Sequence, residues 1–437
     1  MVSSPDGRFC CALFAGISPV AASVFAQVLS VRLIPRALFI FLPGICALVW
    51  AQPLAAQDLV IANARIIVGT GHVIEQGAIV VRGGRIASVS AGPASARGLK
   101  VIDAKGMTAI AGFIDGHRHI ITGDAQRYLY EQAADRMREF LEAGYTTLLS
   151  GGGAAEPVLE LKKRIDSGQL KGPRIIPSGP LNLANATPDT AREGIRRLAA
   201  MGIKFTGEIN VNSFKPDPRQ LEALAAAVDE GKKAGVNVAV HAVSVPAMLA
   251  AVKAGVPKLV HTPHFQWMTA DDAKAVKDAG VQVLSCVGFG APVFDVFNRE
   301  NVPTFRDGGK WPDAILDGEG RGREAGYKPV NARTLWDGGV VYGYATDTNY
   351  LPLKGLSQEL RVLNLMFSPL DLIKMMGPNS AAWIDMSKDL GTLEAGKFAD
   401  IVLLSGNPLE GYWNLMTAKV VLKGGEVVVD KREKKQG

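Results

Sequence analysis

The run Gly112-Phe113-Ile114-Asp115-Gly116-His117-Arg118-His119 decides how this chain is read. An apolar strand that stops at a His-x-His pair presents both imidazoles from one face, because strand side chains repeat every two residues. Imidazole is the commonest protein ligand for zinc-like metals. The chain has only six histidines: His72, His117, His119, His241, His261 and His264. His117, His119, His241 and His261 all fall at the ends of apolar runs. A scarce residue used in that way points to ligation.

Downstream of the pair an internal repeat emerges. Helices end at a small or apolar residue plus Gly, and a strand follows: Ala143-Gly144-Tyr145, Met201-Gly202-Ile203, Ala234-Gly235-Val236, Ala254-Gly255-Val256 and Ala279-Gly280-Val281. The Gly is the expected helix C-cap. Six residues past each Gly stand Ser150, Glu208, His241, His261 and Cys286, where each strand should run out. Repeated βα units predict an α/β fold, a (β/α)8 TIM barrel, whose C-terminal strand ends share one rim where active sites lie. A last strand over 340–347 ends in the carboxylate of Asp347, eight residues past Gly339.

The flanks read differently. Short strands are expected at 59–61, 65–68, 78–81 and 86–89, and again at 400–404, 420–422 and 427–429. Gly83-Gly84 and Gly424-Gly425 mark tight turns between them. These pieces predict one small β-sandwich domain built from both chain ends, 57–111 and 389–437, around a barrel at 112–388.

Residues 1–56 form a leader. Residues 9–31 carry no charge; Arg32 and Arg36 then precede an apolar stretch that closes on Leu54-Ala55-Ala56. That is the order of a secretory signal, with cleavage expected after Ala56 or else after Ala51, and a periplasmic or secreted product. Retained, the leader would instead serve as a membrane anchor. Past the leader only Cys286 remains, so no internal disulfide forms. The net charge of +6 is spread along the chain, apart from a basic C-terminal tail, and forms no nucleic-acid-binding stripe. The expected partner is a small-molecule substrate.

His117, His119, Glu208, His241, His261 and Asp347 on one rim suffice for a site with two divalent metal ions. A bridging carboxylate holds such ions roughly 3.5–4 Å apart and a water between them becomes a nucleophile near neutral pH. Asp347 could take its proton and return it to the leaving group as general base and acid. His264, three residues past His261, reads either as a substrate contact or as a plain loop residue. His72 reads as structural. Cys286 shows no sign of activation. Gly151-Gly152-Gly153 lacks the Lys-Ser/Thr of a phosphate loop and reads as a rim loop.

The motif from Gly112 to His119 resembles the first-strand signature of the amidohydrolase superfamily, in its imidazolonepropionase/prolidase-like branch. Leu390-Gly391-Thr392-Leu393-Glu394-Ala395-Gly396-Lys397-Phe398-Ala399-Asp400-Ile401-Val402 resembles its closing segment, and Asn379-Ser380-Ala381-Ala382 the helix before it. The resemblance spans about residues 58–430. It implies a metal-bearing barrel with a β-sandwich, zinc by default, and a possible homo-oligomer. It also implies that His117, His119 and Asp347 bind the more buried ion and His241 and His261 the exposed one. Ala111 stands where the family has Pro, and Ser150 where many relatives have Asp.

The family's usual bridge is a carboxylated Lys on strand four. Here that strand offers Lys204 and Glu208, of the same parity. Glu208, at the rim, is the expected bridge. Lys204, the alternative bridge, otherwise becomes a barrel-core residue. The implied activity is metal-dependent hydrolysis of an amide-type bond in a dipeptide, an N-acyl amino acid or a cyclic amide. Lactone or ester hydrolysis, deamination and a non-catalytic periplasmic binding protein are the alternatives. Ser244 stands where deaminases carry a Glu, three residues past His241, which counts against deamination. Residues 287–335, with Arg299, Arg306, Arg321 and Arg323, are expected to shape specificity.

Overall fold

The computed structural model describes residues 58–288, 321–349 and 351–432, without the side chains of 321–325. The leader, Arg299 and Arg306, and the side chains of Arg321 and Arg323 lie outside the described residues.

Strands from both chain ends form one mixed sheet. They are β1 (Leu59–Ile67), β2 (Val73–Arg82), β3 (Arg85–Ala91), β4 (Lys100–Asp103) and β5 (Thr108–Ala111), joined by the late strands β14 (Ile401–Leu404), β15 (Ala418–Lys423) and β16 (Glu426–Asp430). The order is β16-β15-β14-β5-β1-β2-β3, with β4 pairing β1. β5 and β14 pair antiparallel and stitch the two ends together. The two strands expected at 59–61 and 65–68 are one strand. The register slips between Ile61 and Ala64, where Asn63 takes a φ of 56°, so the run bends without ending. Leu59, Ile61, Ile66, Ile79, Ile401, Leu403, Val420 and Leu422 fill this sheet's own core.

Among the described residues, eight parallel strands alternate with eight helices between those ends. The strands are β6 (Phe113–Arg118), β7 (Tyr145–Ser150), β8 (Arg174–Ile176), β9 (Ile209–Asn210), β10 (Ala239–His241), β11 (Lys258–Val260), β12 (Gln282–Leu284) and β13 (Tyr342–Gly343). The helices that follow them in turn are α1 (Ala133–Glu142), α2 (Ala155–Asp166), α3 (Pro188–Ala200), α4 (Pro218–Ala234), α5 (Val245–Lys253), α6 (Ala270–Asp278), α7 (Arg321–Asp337) and α8 (Pro352–Leu363).

β6-β7-β8 and β9 to β13 form two parallel sheets, and hydrogen bonds join them at both seams. Gly179 N donates to Phe205 O (3.1 Å) and Gly207 N to Gly179 O (2.7 Å) on one side. Gly116 N donates to Tyr344 O (3.1 Å) and Asp347 N to His117 O (2.9 Å) on the other. The strands thus close into a ring. The five repeat glycines have φ between 69° and 99°, the left-handed cap that ends one helix and turns the chain into the next strand.

The interior of the ring is apolar. Ile114, Leu149, Phe205, Ala239, Val260, Leu284 and Ala345 line it, and Trp383 closes the end where the strands begin. Trp383 stacks on Phe205 at 5.9 Å and 12°. A second, larger core lies between ring and helices. Arg174 of β8 reaches Asp400 beside β14 at 2.8 Å, tying ring to sheet.

Candidate metal centre

Five strand ends bring six polar side chains to the open end of the ring. Two groups result. His117, His119, Glu208 and Asp347 form one, and Glu208, His241 and His261 the other, with candidate ligand atoms within 4.8 Å of one another in each. Glu208 is common to both. Its Oε2 lies 2.8 Å from His241 Nδ1, 2.9 Å from His261 Nε2 and 3.7 Å from His117 Nε2. Asp347 Oδ1 lies 2.9 Å from His119 Nε2 and 3.4 Å from His117 Nε2.

Lys204 is not part of either group and is not a core residue. It is exposed, and lines a cavity of about 1080 Å³ at the opposite end of the ring. The reason is a slip of one residue. Phe205 pairs with Asn237, but Ile209 pairs with Val240, so strand four gains four residues while strand five gains three. The extra residue at Thr206-Gly207 flips the faces. Phe205 points inward below the bulge and Glu208 above it, leaving Lys204 outside.

Burial by itself would lower the His117 imidazole, yet the carboxylates of Asp347 and Glu208 overcome it and hold it up at about 10. Burial would raise Glu208, but His117, His241 and His261 outweigh it and hold the carboxyl far below the usual range. Asp347 is held low by His117 and His119 against the same burial. Burial wins at His261, which is lowered.

The groups nevertheless leave one another incompletely satisfied. His117 Nε2 and Asp347 Oδ1 are buried and lack a hydrogen-bonded partner among the described residues. Buried polar atoms of that kind call for an explanation, and an ion is one. Carboxylate and imidazole together form a donor set suited to zinc-like metals. The residues therefore fit a metal.

The local backbone is shaped for the site. His261, Cys286 and Asp347 have φ of 76°, 44° and 50°, at the ends of three consecutive strands. Positive φ in non-glycine residues is costly and clusters at functional sites. Gly151 passes beneath His117, where a Cβ would stand 2.8 Å from Nε2. The glycine run is thus a rim loop whose smallness admits the histidine.

Two supports were not evident from the sequence. Asp115, fully buried, accepts from His117 N (3.2 Å), Thr346 N (3.1 Å) and Thr346 Oγ1 (2.6 Å). Arg118, equally buried, donates to Thr346 Oγ1 (3.0 Å) and to Thr348 Oγ1. Together they clamp both neighbours of Asp347 to the His117 strand. Asp115 could have been found, since it lies two residues before His117 and shares its face. Glu359 of α8 holds the chain after β12, accepting from Ser285 Oγ (2.5 Å) and Val287 N (3.0 Å). Burial pushes its carboxyl up to about 7.

The remaining candidates separate cleanly. Ser150 is buried and donates to Gly152 O (3.3 Å). The Cys286 thiol is pushed well up by burial, which makes it inert. Ser244 caps α5 and donates to Ser213 O, so its hydroxyl is occupied. His72 lies in the turn between β1 and β2. His264 is outside both metal groups; burial, with Lys328 nearby, lowers it to about 3.

Residues 108–428 match the Amidohydrolase family. The chain belongs to that family. As an amidohydrolase it is a metal-dependent hydrolase, and the binding-protein alternative is set aside. The imidazolonepropionase of Alkaliphilus metalliredigens (strain QYMF) is 23% identical over 425 residues, covering 82% of this amidohydrolase and 92% of that protein. A Xaa-Pro dipeptidase with bound methionine in its active site superposes with a TM-score of 0.70 at 21% identity, covering 85% of this chain and all of that one (100%). Molinate hydrolase gives a TM-score of 0.69 at 18% identity, covering 86% and 95%. At those identities the structures speak for the fold.

Proposed function

We propose that this amidohydrolase carries two divalent ions, zinc by default, and hydrolyses an amide-type bond in a dipeptide, an N-acyl amino acid or a cyclic amide. The eight-strand ring is read as a (β/α)8 barrel over 112–388, and the mixed sheet as a β-sandwich from 57–111 and 389–437. His117, His119 and Asp347 would hold one ion and His241 and His261 the other. Glu208 would bridge. The observation that carries this reading is the single oxygen, Glu208 Oε2, turned toward histidines of both groups.

Ions held by these residues would acidify a water and polarise the scissile carbonyl. The chain supplies the rest. Asp347, kept ionised by His117 and His119, accepts the proton of the attacking water and returns it to the leaving nitrogen. The Asp115 and Arg118 clamp fixes its direction through Thr346 and Thr348. Occupation of Ser244 in capping α5 disfavours deamination. The leader is read as an export signal, which N-terminal sequencing of the mature protein tests.

The assay is turnover of dipeptides, N-acyl amino acids and cyclic amides by metal-reconstituted protein, beside lactones and phosphoesters. Amide turnover is expected, with kcat falling about 10²–10⁴-fold in Asp347→Asn. Turnover of lactones or phosphoesters without any amide would overturn the reading.

A further inference from the structure

We infer that Phe214 and Phe265, with His264, form a preformed aromatic subsite beside the metal centre that receives an apolar group flanking the substrate's scissile bond. This rests on the hydrolase reading above and narrows its substrate class.

Three large apolar side chains stand open to solvent on two rim loops. Phe214 is 78% exposed on the loop between β9 and α4; Phe265 and Trp267 are 40% and 55% exposed on the loop between β11 and α6. Isolated surface hydrophobics need no account, but contiguous ones mark interaction sites. Phe214 and Phe265 are contiguous, whereas Trp267 packs on Tyr327. The Phe214 and Phe265 rings lie 5.1 Å apart, and Phe265 lies 4.7 Å from His264. The two phenylalanines thus sit on the rim loops that follow β9 and β11, on either side of the strand that carries His241, and His264 stands three residues past His261.

The loops bearing these rings are fixed. Asn212 Oδ1 accepts from Phe214 N (3.0 Å) and Lys215 N (2.9 Å), setting the turn that presents Phe214. Ser244 Oγ donates to Ser213 O, and His264 N to Val243 O (2.8 Å), so three successive rim loops are tied side by side. Asn331 of α7, fully buried, straps the third. It donates to Pro263 O and Gln266 O, both at 2.8 Å, and accepts from Met268 N at 2.9 Å. A surface held this way does not have to be ordered on binding, which is the condition for efficient recognition. His264 is kept neutral, and neither Phe214 nor Phe265 brings charge. An aromatic or long aliphatic group suits such a wall.

The test compares kcat/KM for N-acetyl, N-benzoyl and N-octanoyl amino acids, and for one acyl group on glycine and on phenylalanine. Wild type should favour the apolar member of at least one series by about tenfold or more. Phe214→Ala and Phe265→Ala should bring that ratio towards one while metal content stays at the wild-type level. Phe214 is largely exposed, so its loss should not unfold the chain, and Phe214→Leu should restore part of the preference. No preference in wild type, or a preference that both variants retain, overturns the subsite.

If metal-loaded protein turns over no amide, the hydrolase reading fails separately. The subsite is then read from inhibition of whatever ester is cleaved, by benzoate or octanoate against acetate. If nothing is turned over, it is read from binding of the same acids to the metal-loaded protein by calorimetry. Equal effects of the three acids would sink it in either case.

Discussion

The two ends of the parallel ring are made of the same eight strands and solve opposite problems. Where the strands begin, the buried Lys258 is paired, although Trp383 Nε1 has no hydrogen-bond partner among the described residues. Lys258 Nζ reaches Asp385 Oδ1 at 2.8 Å and Gln282 Oε1 at 2.9 Å, over the face of Trp383, which stacks on Phe205. Where the strands end, six ligand-type side chains crowd together, two of their atoms are buried without partners among the described residues, and three residues hold positive φ. One end closes the core. The other keeps chemical demand unmet so that an ion can meet it. The difference teaches that stability and function divide along each strand, with the boundary on strand four at the Thr206-Gly207 bulge.

The comparison breaks most severely at the closed end. Trp383→Ala empties a large buried volume and should cost about 3–5 kcal/mol of stability, read by denaturant unfolding. Metal content of the protein that remains folded should not change. A loss of metal with little loss of stability would show that the two ends are not separable.

A second test concerns Glu359, behind the open end. Its folded pKa of about 7 lies above the ordinary 4.5, so the native state keeps its proton to higher pH than the unfolded chain does. The stabilisation this brings is present in full below about 4.5 and is lost as pH rises through about 7. The stability difference between wild type and Glu359→Gln should therefore move against wild type across that window, by on the order of a few kcal/mol. A difference independent of pH would contradict it.

The smallest effect of the three tests the open end directly. Gly151→Ala drives a methyl against His117 Nε2 and should weaken metal binding about 10–100-fold, the range seen when a ligand's support is disturbed. Unfolding stability measured without metal should change far less. Unaltered metal affinity would mean that His117 is not a ligand.

Much of this was readable from local signals. Gly144, Gly202, Gly235, Gly255 and Gly280 marked helix ends because a left-handed cap is a property of a few adjacent residues. Counting from them led to Glu208, His241 and His261, and the period of two led to His117 and His119. What escaped was set by partners distant in sequence. The faces of Lys204 and Glu208 depend on a bulge defined only by pairing with β10 and its approach. The Arg118 clamp needs Thr346 and Thr348, some 230 residues away. Glu359 has meaning only once α8 packs behind β12. Asn63 shows the same limit on a small scale, since a polar residue that reads as a strand end is a bend within one strand.

Metal content per chain decides the central claim, that Glu208 joins two metal groups at the open end while Lys204 belongs to neither. The protein is reconstituted and measured as wild type, Glu208→Ala and Lys204→Ala. The account predicts about two equivalents in wild type and in Lys204→Ala, and one or fewer in Glu208→Ala. Loss in Lys204→Ala with Glu208→Ala unchanged, or one equivalent in all three, would contradict it.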